Sequence, residues 1–222
     1  MGLIIAVIII TGWLTHLSYI LIYSGINFSD LVFYLHILIQ AQLYTGLFIT
    51  AHDAMHSNIV KSGLGNKIIG NLSALLYAAL SYKKLLKNHF YHHKHPGTKS
   101  DPDFLITSQN FLIWWFTFLS RYATILQMVF MAFTFNILKI WIPETKLLLF
   151  WILPVFLSSI QLFYFGTYIP HRLPHNEQMT VHHSRTLGKN HFFAFLSCYF
   201  FGYHLEHHLD PAIPWWKLYK TK

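Results

Sequence analysis

Long apolar stretches alternate with short polar links along the chain. Four stretches reach the roughly 20 residues that a helix needs to cross a bilayer. They are Leu3–Tyr23, Leu31–Ala51, the part of Phe111–Trp141 that follows Arg121, and Leu147–Ile169. The links SGINFSD and PETK, inside the first and second pairs, are short. The pattern therefore predicts an all-α membrane protein with four transmembrane helices in two hairpins.

Two further apolar runs, Ile68–Leu80 and Phe192–Tyr203, are too short to cross a bilayer. We expect them to form re-entrant or interfacial helices. The N-terminal MGLIIAVIII lacks a basic leader region and a small-residue cleavage site, so it is interpreted as a retained helix. Because no repeat or low-complexity linker divides the 222 residues, we expect residues 1–222 to form a single domain.

The composition agrees with a membrane location. Hydrophobic residues make up 54% of the chain and charged residues only 11%, against about 25% charged residues in soluble domains. The formal net charge of +8 is not gathered on an amphipathic face, so no nucleic-acid partner is expected. The one cysteine, Cys198, excludes an internal disulfide and is interpreted as a small buried side chain.

Lysine and arginine are concentrated in two segments. Seven lie between the second and third predicted spans and six follow the fourth, whereas SGINFSD contains none. By the positive-inside rule these segments and both termini are predicted to be cytoplasmic. Fourteen of the sixteen histidines fall on the same side, which predicts a cytoplasmic histidine-rich cap on the two hairpins.

Three histidine clusters have helical spacing: HDAMH at the end of the second span, HFYHH in the first basic segment, and HLEHH in the last. Residues at i, i+3 and i+4 share one face of a helix. Each cluster therefore presents its imidazoles together. The eight residues concerned are His52, His56, His89, His92, His93, His204, His207 and His208.

Eight imidazoles exceed the four ligands of a structural zinc or the three of a catalytic zinc. They suit two transition metals, each with four or five nitrogen ligands and an open position. Imidazole binds iron, copper, zinc and nickel, so the spacing alone does not choose the metal. The zinc-protease motif HEXXH is absent, and Glu206 stands in neither zinc-protease frame.

The residues around these clusters resemble a known family. The HxxxH, HxxHH and HxxHH pattern is similar to that of the membrane-bound fatty acid desaturase and hydroxylase superfamily. HDAMHSN, NHFYHHKHPGTKSDPDF, FGTYIPHR and FGYHLEHHLDPAIPWWKL resemble the β-carotene ketolases in particular. The resemblance runs from His52 to Leu218, and the HPGTKSDPDF and PWW segments favour the ketolases over the rest of the superfamily.

This resemblance implies a non-haem di-iron centre, molecular oxygen as co-substrate, and electrons from ferredoxin or a similar donor at the cytoplasmic face. It makes the eight clustered histidines catalytic iron ligands and adds His171, at the end of the fourth span, as a ninth metal ligand. The implied reaction turns the ring C-4 methylene of β-carotene into a ketone by successive hydroxylation. The products would be echinenone and canthaxanthin, or astaxanthin from zeaxanthin, with the carotenoid entering from the membrane lipid.

Three acidic residues, Asp53, Asp101 and Asp103, lie beside the clusters in sequence. Metal-ligating histidines usually donate their second ring N–H to a carboxylate, a carbonyl or water. We expect these three residues to support cofactor binding in this way rather than to bind metal. Asp101 and Asp103 can alternatively form a turn and helix cap. The roles of His182 and Glu206 stay open.

Other functions remain possible at this point. A carotenoid hydroxylase of the same superfamily would stop at the alcohol, and a fatty acid desaturase would need a straight acyl tunnel. A membrane metal transporter would place ionisable ligands near mid-membrane. Within the long apolar runs the only histidines are His16 and His36, and the only charged residues are Arg121 and Lys139, which disfavours transport.

Aromatic residues of the later apolar runs can either line a substrate channel or face lipid. The sequence does not decide between these two positions. The residues are Trp114, Trp115, Phe116, Phe118, Trp141, Trp151, Phe163, Tyr164 and Phe165.

Overall fold

A computed structural model describes residues 1–222, and it contains helices and no strand. Two short 3₁₀ segments, Glu177–His182 and Trp215–Thr221, lie near the C-terminus. The helices are α1 (Gly2–Ile22), α2 (Leu31–Met55), α3 (Gly63–Ala78), α4 (Tyr82–Lys94), α5 (Phe111–Tyr122), α6 (Ile125–Leu138), α7 (Glu144–His171), α8 (His191–Cys198) and α9 (His204–Leu209).

Three helices are long and apolar enough to cross a membrane: α1 with 21 residues, α2 with 25 and α7 with 28. At about 1.5 Å per residue each reaches roughly the 30 Å of a bilayer core. They occupy the first, second and fourth predicted spans. The chain is therefore an integral membrane protein.

The third predicted span takes a different form. Two helices, α5 and α6, meet there at a bend of 91°, and α6 alone has 14 residues, or about 21 Å. The structure thus lacks the straight span expected after Arg121. A fourth span exists only if α5 and α6 cross the membrane together as one bent segment. The break occurs because Thr124 starts a new helix through a capping box with Gln127.

The ends of the long helices define two ends of the bundle. Gly2, at the start of α1, lies against Ile59 just beyond α2; a Cβ on Gly2 would lie 2.5 Å from the Ile59 carbonyl oxygen. At the other end, Lys146 near the start of α7 donates a hydrogen bond to the Leu21 carbonyl at 3.2 Å. The C-terminal ends of α2 and α7 therefore lie at the same end of the bundle, which we call the histidine end.

The core lies between α1, α2 and α7. Its side chains include Tyr44, Leu47, Ile49 and Phe150, all completely buried. The outer surfaces of α1 and α6 are apolar and exposed, and α6 buries none of its residues. Exposed apolar surface of this extent is expected where helices contact lipid.

The two short apolar runs form helices that do not span. Ile68–Leu80 overlaps α3, which packs along α2, and Phe192–Tyr203 overlaps α8 and the turn that follows it. Ser62 and Asn190 cap the first turns of α3 and α8 with their side-chain oxygens. The helix α3 comes directly before α4, which carries the second histidine cluster, and α8 comes before α9, which carries the third. The two short helices therefore help to position these clusters.

Candidate metal centre

Nine histidines from four helices converge at the histidine end. The end of α2 carries the first cluster, α4 the second, the last residue of α7 is His171, and α9 carries the third. Six of the nine rings are buried and three are partly buried. The structure therefore brings together all eight histidines of the predicted clusters and His171.

The nine rings form two groups. Within each group the candidate ligand nitrogens lie within 4.8 Å of one another. Group A contains His52, His56, His89, His93 and His207. Group B contains His92, His171, His204 and His208.

The ring nitrogens point at each other within each group. In group A, the Nε2 atoms of His56 and His89 are 2.6 Å apart, and Nε2 of His93 lies 3.0 Å from Nε2 of His207. In group B, Nε2 of His208 lies 3.2 Å from Nε2 of His204. Bonds of about 2.1 Å to one cation place neighbouring imidazole nitrogens roughly 3 Å apart. The donor spacing therefore fits a metal ion in each group.

Unpaired nitrogens give a second test of the fit. Nε2 of His52 in group A and Nε2 of His171 in group B are buried and have no hydrogen-bond partner. Buried polar atoms in folded proteins nearly always have a partner. A metal ion in each group would satisfy both atoms.

The two groups adjoin each other. His92 and His93 are consecutive on α4 but belong to different groups, and the ring centroids of His93 and His208 are only 4.4 Å apart. His92 Nε2 also lies 3.1 Å from His208 Nε2 within group B. The arrangement therefore suits two neighbouring cations rather than two remote sites.

Asp101 orients His92. Both carboxylate oxygens lie 3.0 Å from His92 Nδ1, and the backbone N–H groups of Gly97 and Asp103 donate to the same carboxylate at 2.8 Å. Nδ1 of His92 is therefore the protonated nitrogen, and Nε2 is left to face group B. Asp101 also accepts the turn bond from Phe104 N, so it occupies the turn that the sequence suggested as the alternative.

Asp53 and Asp103 are also buried near the histidines, but their closest hydrogen bonds are to residues other than histidine. Asp53 accepts a hydrogen bond from Trp215 N at 3.0 Å, and its second oxygen is 3.5 Å from His52 Nδ1. Asp103 accepts a short hydrogen bond from the Tyr122 hydroxyl. Asp53 thus ties the end of α2 to the C-terminal segment, and Asp103 ties the loop after α4 to α5.

Burial keeps most of the site's imidazoles neutral. It lowers the pKa of His56 to about 4, and burial together with the neighbouring His92 and His56 lowers the pKa of His93 to about 2. Burial also disfavours the His92 cation, but the charge and hydrogen bond of Asp101 outweigh it and raise the pKa of His92. Neutral imidazole is the form that binds metal.

Several residues that the sequence left open now have positions. His171 directs Nδ1 to the His183 carbonyl at 3.0 Å, which leaves Nε2 for group B. The His182 ring is 5.6 Å from the His208 ring but makes no contact inside either group. Glu206 points away from the metal groups, accepting from the Thr186 hydroxyl at 2.6 Å and pairing with Lys222 at 2.9 Å.

An apolar cavity of about 480 Å³ adjoins the histidines. Its wall includes His52 and His89 of group A, and His92 and His204 of group B, so both groups reach it. Elsewhere the wall is mostly aliphatic, methionine and aromatic side chains from α2, α5, α6 and α7. An apolar molecule in this cavity would lie directly against the candidate metal centre.

Most of the nine aromatic residues that the sequence offered as either channel-lining or lipid-facing do not line this cavity. Of the nine, Phe118 alone lines the cavity. Trp114 and Phe163 are fully buried in a separate aromatic cluster, and Trp141 is 73% exposed. The sequence did not single out Phe48, Tyr77 or Phe201, which do line the cavity, because their spacing matches ordinary core positions.

Comparison with known proteins agrees with this geometry. A family model described as fatty acid desaturase matches residues 29–138 and 117–222. A protein named β-carotene ketolase from Paracoccus sp. (strain PC1) is 38% identical over 187 residues, which cover 81% of this chain and 75% of the relative. Zeaxanthin 4-ketolase from Chlamydomonas reinhardtii is 40% identical over 185 residues, covering 81% of this chain and 42% of the alga's protein.

A third relative, β-carotene 4-ketolase 3 from Haematococcus lacustris, is 37% identical over 79% of this chain and 58% of its own length. This chain therefore spans about half the length of these algal relatives. The fold and the paired histidine groups are those of a membrane oxidoreductase. The chain belongs to the fatty acid desaturase family and, within it, to the β-carotene ketolases, as the sequence motifs predicted.

Proposed function

We propose that this protein is a di-iron oxygenase that converts the ring C-4 methylene of β-carotene to a ketone. One observation carries the proposal: two adjoining groups of histidines, nine rings in all, open onto an apolar cavity inside a membrane protein. The names of the relatives supply the substrate, β-carotene for the bacterial protein and zeaxanthin for one algal protein.

The proposed reaction has two rounds of the same stoichiometry. In the first, one atom of O2 enters a C-4–H bond to give the alcohol, and two electrons and two protons reduce the other atom to water. In the second, a further O2 with two electrons and two protons converts the alcohol to a geminal diol and water. The diol then loses water to leave the ketone. Two rounds on one ring of β-carotene give echinenone, and two further rounds on the other ring give canthaxanthin.

We assign the metal ligands by group. His52, His56, His89, His93 and His207 would hold one iron, and His92, His171, His204 and His208 the other. When bound, the irons supply the redox chemistry with which O2 attacks a C–H bond that no side chain can attack. Asp101 holds His92 in the tautomer that such a site needs.

The protein's own residues provide the conditions for this chemistry. Burial keeps the ligand imidazoles neutral and keeps bulk water away from the reacting ring. The Phe201 ring packs against His52 and His204, with centroids 4.9 and 5.1 Å apart, and so forms part of the wall between both groups and the cavity. The ring of the substrate is thereby held against the histidines.

The substrate is proposed to enter from lipid between α6 and α7. Met128 and Phe156 both line the cavity and are exposed on the outer surface of the protein. They mark a lateral opening through which one ring enters, while the remaining polyene and the second ring extend into the membrane. A long hydrocarbon has negligible solubility in water, so this route needs no aqueous intermediate.

We further propose that the histidine end faces the cytoplasm and receives electrons there from ferredoxin or a similar carrier. The concentration of lysine and arginine in the segments at this end supports the orientation. Exposed lysines on α4, including Lys83, Lys87 and Lys94, suit an acidic carrier.

Expression in a host that accumulates β-carotene tests the proposal directly. Pigment chromatography should show echinenone and canthaxanthin with the wild type. His92→Ala should abolish both, whereas His95→Ala, on the same segment but outside both groups, should leave them unchanged. Unchanged β-carotene with a competent reductase present contradicts the proposal, and an alcohol as the only product identifies a hydroxylase instead.

A further inference from the structure

We infer that the hydroxyl group of Thr167 is a binding subsite for an alcohol on the substrate ring, and that it retains the first oxidation product for the second round. The inference rests on the proposed ketolase function and deepens it. It concerns the step that separates a ketolase from a hydroxylase, because an enzyme that releases the alcohol stops one round short.

Thr167 stands where the apolar cavity meets group B. It lies four residues before His171 on α7 and lines the same cavity as His92 and His204. Its side chain is 5% exposed, so its hydroxyl is shielded from bulk solvent. A carotenoid ring bound in the cavity would therefore have both Thr167 and the candidate metal ligands in the wall around it.

The Thr167 hydroxyl makes no hydrogen bond within the protein, and it stands apart from the other side-chain oxygens of the cavity wall in this respect. Asp103 and Tyr122 bond to each other, Gln127 donates to the Ala78 carbonyl at 2.8 Å, and Ser159 donates to the Phe156 carbonyl at 2.8 Å. The Tyr77 hydroxyl reaches the Val155 carbonyl at 3.5 Å. Thr167 is therefore a buried residue whose hydroxyl has no partner in the protein and belongs to the cavity wall, where a polar group of a ligand can reach it.

The helix geometry explains why this hydroxyl is free. Threonines in regular helices usually donate to the carbonyl four residues earlier, as Thr45 does to Ala41 and Thr50 to Gly46. Thr167 lies in a π-helical turn, Tyr164–Tyr168, where this back-bond is not formed. Single π-helical turns of this kind are frequent at functional sites.

The chemistry of the reaction supplies a ligand for this hydroxyl. β-Carotene carries no polar group, but the first round places an alcohol on the ring inside an apolar cavity. That alcohol needs a hydrogen-bond partner, or it is better solvated at the membrane interface. A neutral hydrogen bond corresponds to about a ten-fold change in affinity, enough to favour a second round over release.

The 3-hydroxyl of zeaxanthin is also an alcohol on the end ring, and it could form the same hydrogen bond with Thr167 from a different ring position. The shared ligand class is a secondary alcohol on the carotenoid end ring. Feeding β-carotene and zeaxanthin separately distinguishes the two sources, because with β-carotene the only alcohol is the one that the enzyme makes.

The test compares Thr167→Val, which replaces the hydroxyl with a methyl group of similar size, with Thr167→Ser, which keeps it. Ser159→Ala is the matched control, since Ser159 lines the same cavity from the same helix with its hydroxyl already bonded. In a host that makes β-carotene, Thr167→Val should raise the ratio of ring alcohols to ketones about ten-fold. Thr167→Ser and Ser159→Ala should keep the wild-type ratio.

A binding measurement keeps the inference testable if Thr167→Val forms no pigment product. The metal-free protein in lipid nanodiscs is titrated with β-carotene, its 4-hydroxy derivative and zeaxanthin, followed by quenching of tryptophan fluorescence. The wild type should prefer at least one of the two alcohols about ten-fold over β-carotene, and Thr167→Val should lose that preference. A preference for zeaxanthin alone assigns the subsite to the 3-hydroxyl.

Equal product ratios in the wild type and Thr167→Val, together with equal affinities for all three carotenoids, would overturn the inference and leave the proposed function intact. A wild type that forms no ketone overturns the proposed function itself, whatever Thr167→Val does.

Discussion

At the scale of single residues, His92 shows how the protein orients a candidate metal ligand. Its Nδ1 is fixed by Asp101, so its Nε2 is available to group B, although its sequence neighbours His89 and His93 belong to group A. Successive helical residues are rotated by about 100°, so His92 points well away from His93. The sequence predicted that these rings share one side of α4, but not that they divide between two groups.

Asp101→Asn tests the orienting carboxylate. The variant loses the charge that favours the Nδ1–H tautomer of His92, and loss of such a partner typically lowers metal affinity about 10- to 100-fold. Iron retention against a chelator should fall by this factor while the protein stays in the membrane. Glu144→Gln, an exposed carboxylate at the start of α7 and therefore at the end of the bundle opposite the histidines, is the control and should retain iron as the wild type does.

Gly166 is the second residue on which the site depends. A Cβ there would lie 2.2 Å from a ring carbon of Phe201, and the Phe201 ring packs on His52 and His204. Gly166→Ala should therefore displace that ring and lower the free energy of unfolding by about 1–3 kcal/mol, seen as a lower thermal midpoint in detergent.

Gly12→Ala is the matched control for Gly166→Ala. Gly12 lies inside α1, and a Cβ there would make only an ordinary contact of 3.6 Å with Leu43. The change should be neutral or stabilise by up to about 1 kcal/mol, because alanine favours helix more than glycine does. Equal destabilisation by both substitutions would contradict the role given to Gly166.

At the scale of elements, α9 carries three ligand candidates yet is only six residues long. A helix of this length is not stable by itself, and its first turn has no side-chain cap. Glu206 fastens α9 to its surroundings through Thr186 and Lys222, with the ion pair largely shielded from solvent. This gives a structural role to an acid that the sequence left unassigned.

Glu206→Gln should loosen α9. We expect faster loss of iron to a chelator and weaker amide hydrogen-exchange protection in residues 204–209, with smaller changes in α1 and α2. The matched control is Glu144→Gln, which removes the exposed ion pair with Lys139 and should change neither quantity. Unchanged exchange in α9 would show that Glu206 does not hold it.

The bend between α5 and α6 marks a limit of what the sequence predicts. Apolar residues continue through Phe111–Trp141, so hydropathy favours one span. The break depends on Thr124 and Gln127 bonding to each other's backbone, and Arg121 donates to the carbonyls of Pro102 and Phe104. Such side-chain-to-backbone choices depend on tertiary contacts, and hydropathy does not report them.

At the scale of the whole molecule, an apolar bundle supports a polar, buried centre at one end. Hydropathy and the spacing of histidines predicted both parts, because each follows from a local periodicity. The cavity wall was not predicted: Phe48 on α2, Met131 on α6 and Phe201 before α9 come from segments that are distant in sequence. Only the packing of the helices brings them together.

The metal-free protein should lose stability in acid. Burial lowers the pKa of His56 to about 4, and the pKa of His89, His204, His207 and His208 also falls, as does that of His93. The unfolded chain protonates these imidazoles near their ordinary pKa of 6.5, whereas the folded chain does not. The unfolded state therefore binds more protons below about pH 6.5, and the free energy of unfolding falls as the pH falls from there toward about 4.

Asp103 and His92 act in the opposite direction. Burial raises the pKa of Asp103 to about 6, and Asp101 helps to raise the pKa of His92, so the folded state takes up protons at both residues more readily. They are outnumbered by the six imidazoles. The thermal midpoint of metal-free protein in detergent should thus be lower at pH 5 than at pH 7.5, and an equal or higher midpoint at pH 5 would contradict this balance.

The central claim is that two adjoining histidine groups bind one iron each. Elemental analysis of the purified protein measures this most directly, with His204→Ala to disable group B and His207→Ala to disable group A. The wild type should contain two iron ions per chain, and each variant should lose iron from its own group. A wild type with at most one iron per chain, or with its full iron retained in both variants, would contradict the account.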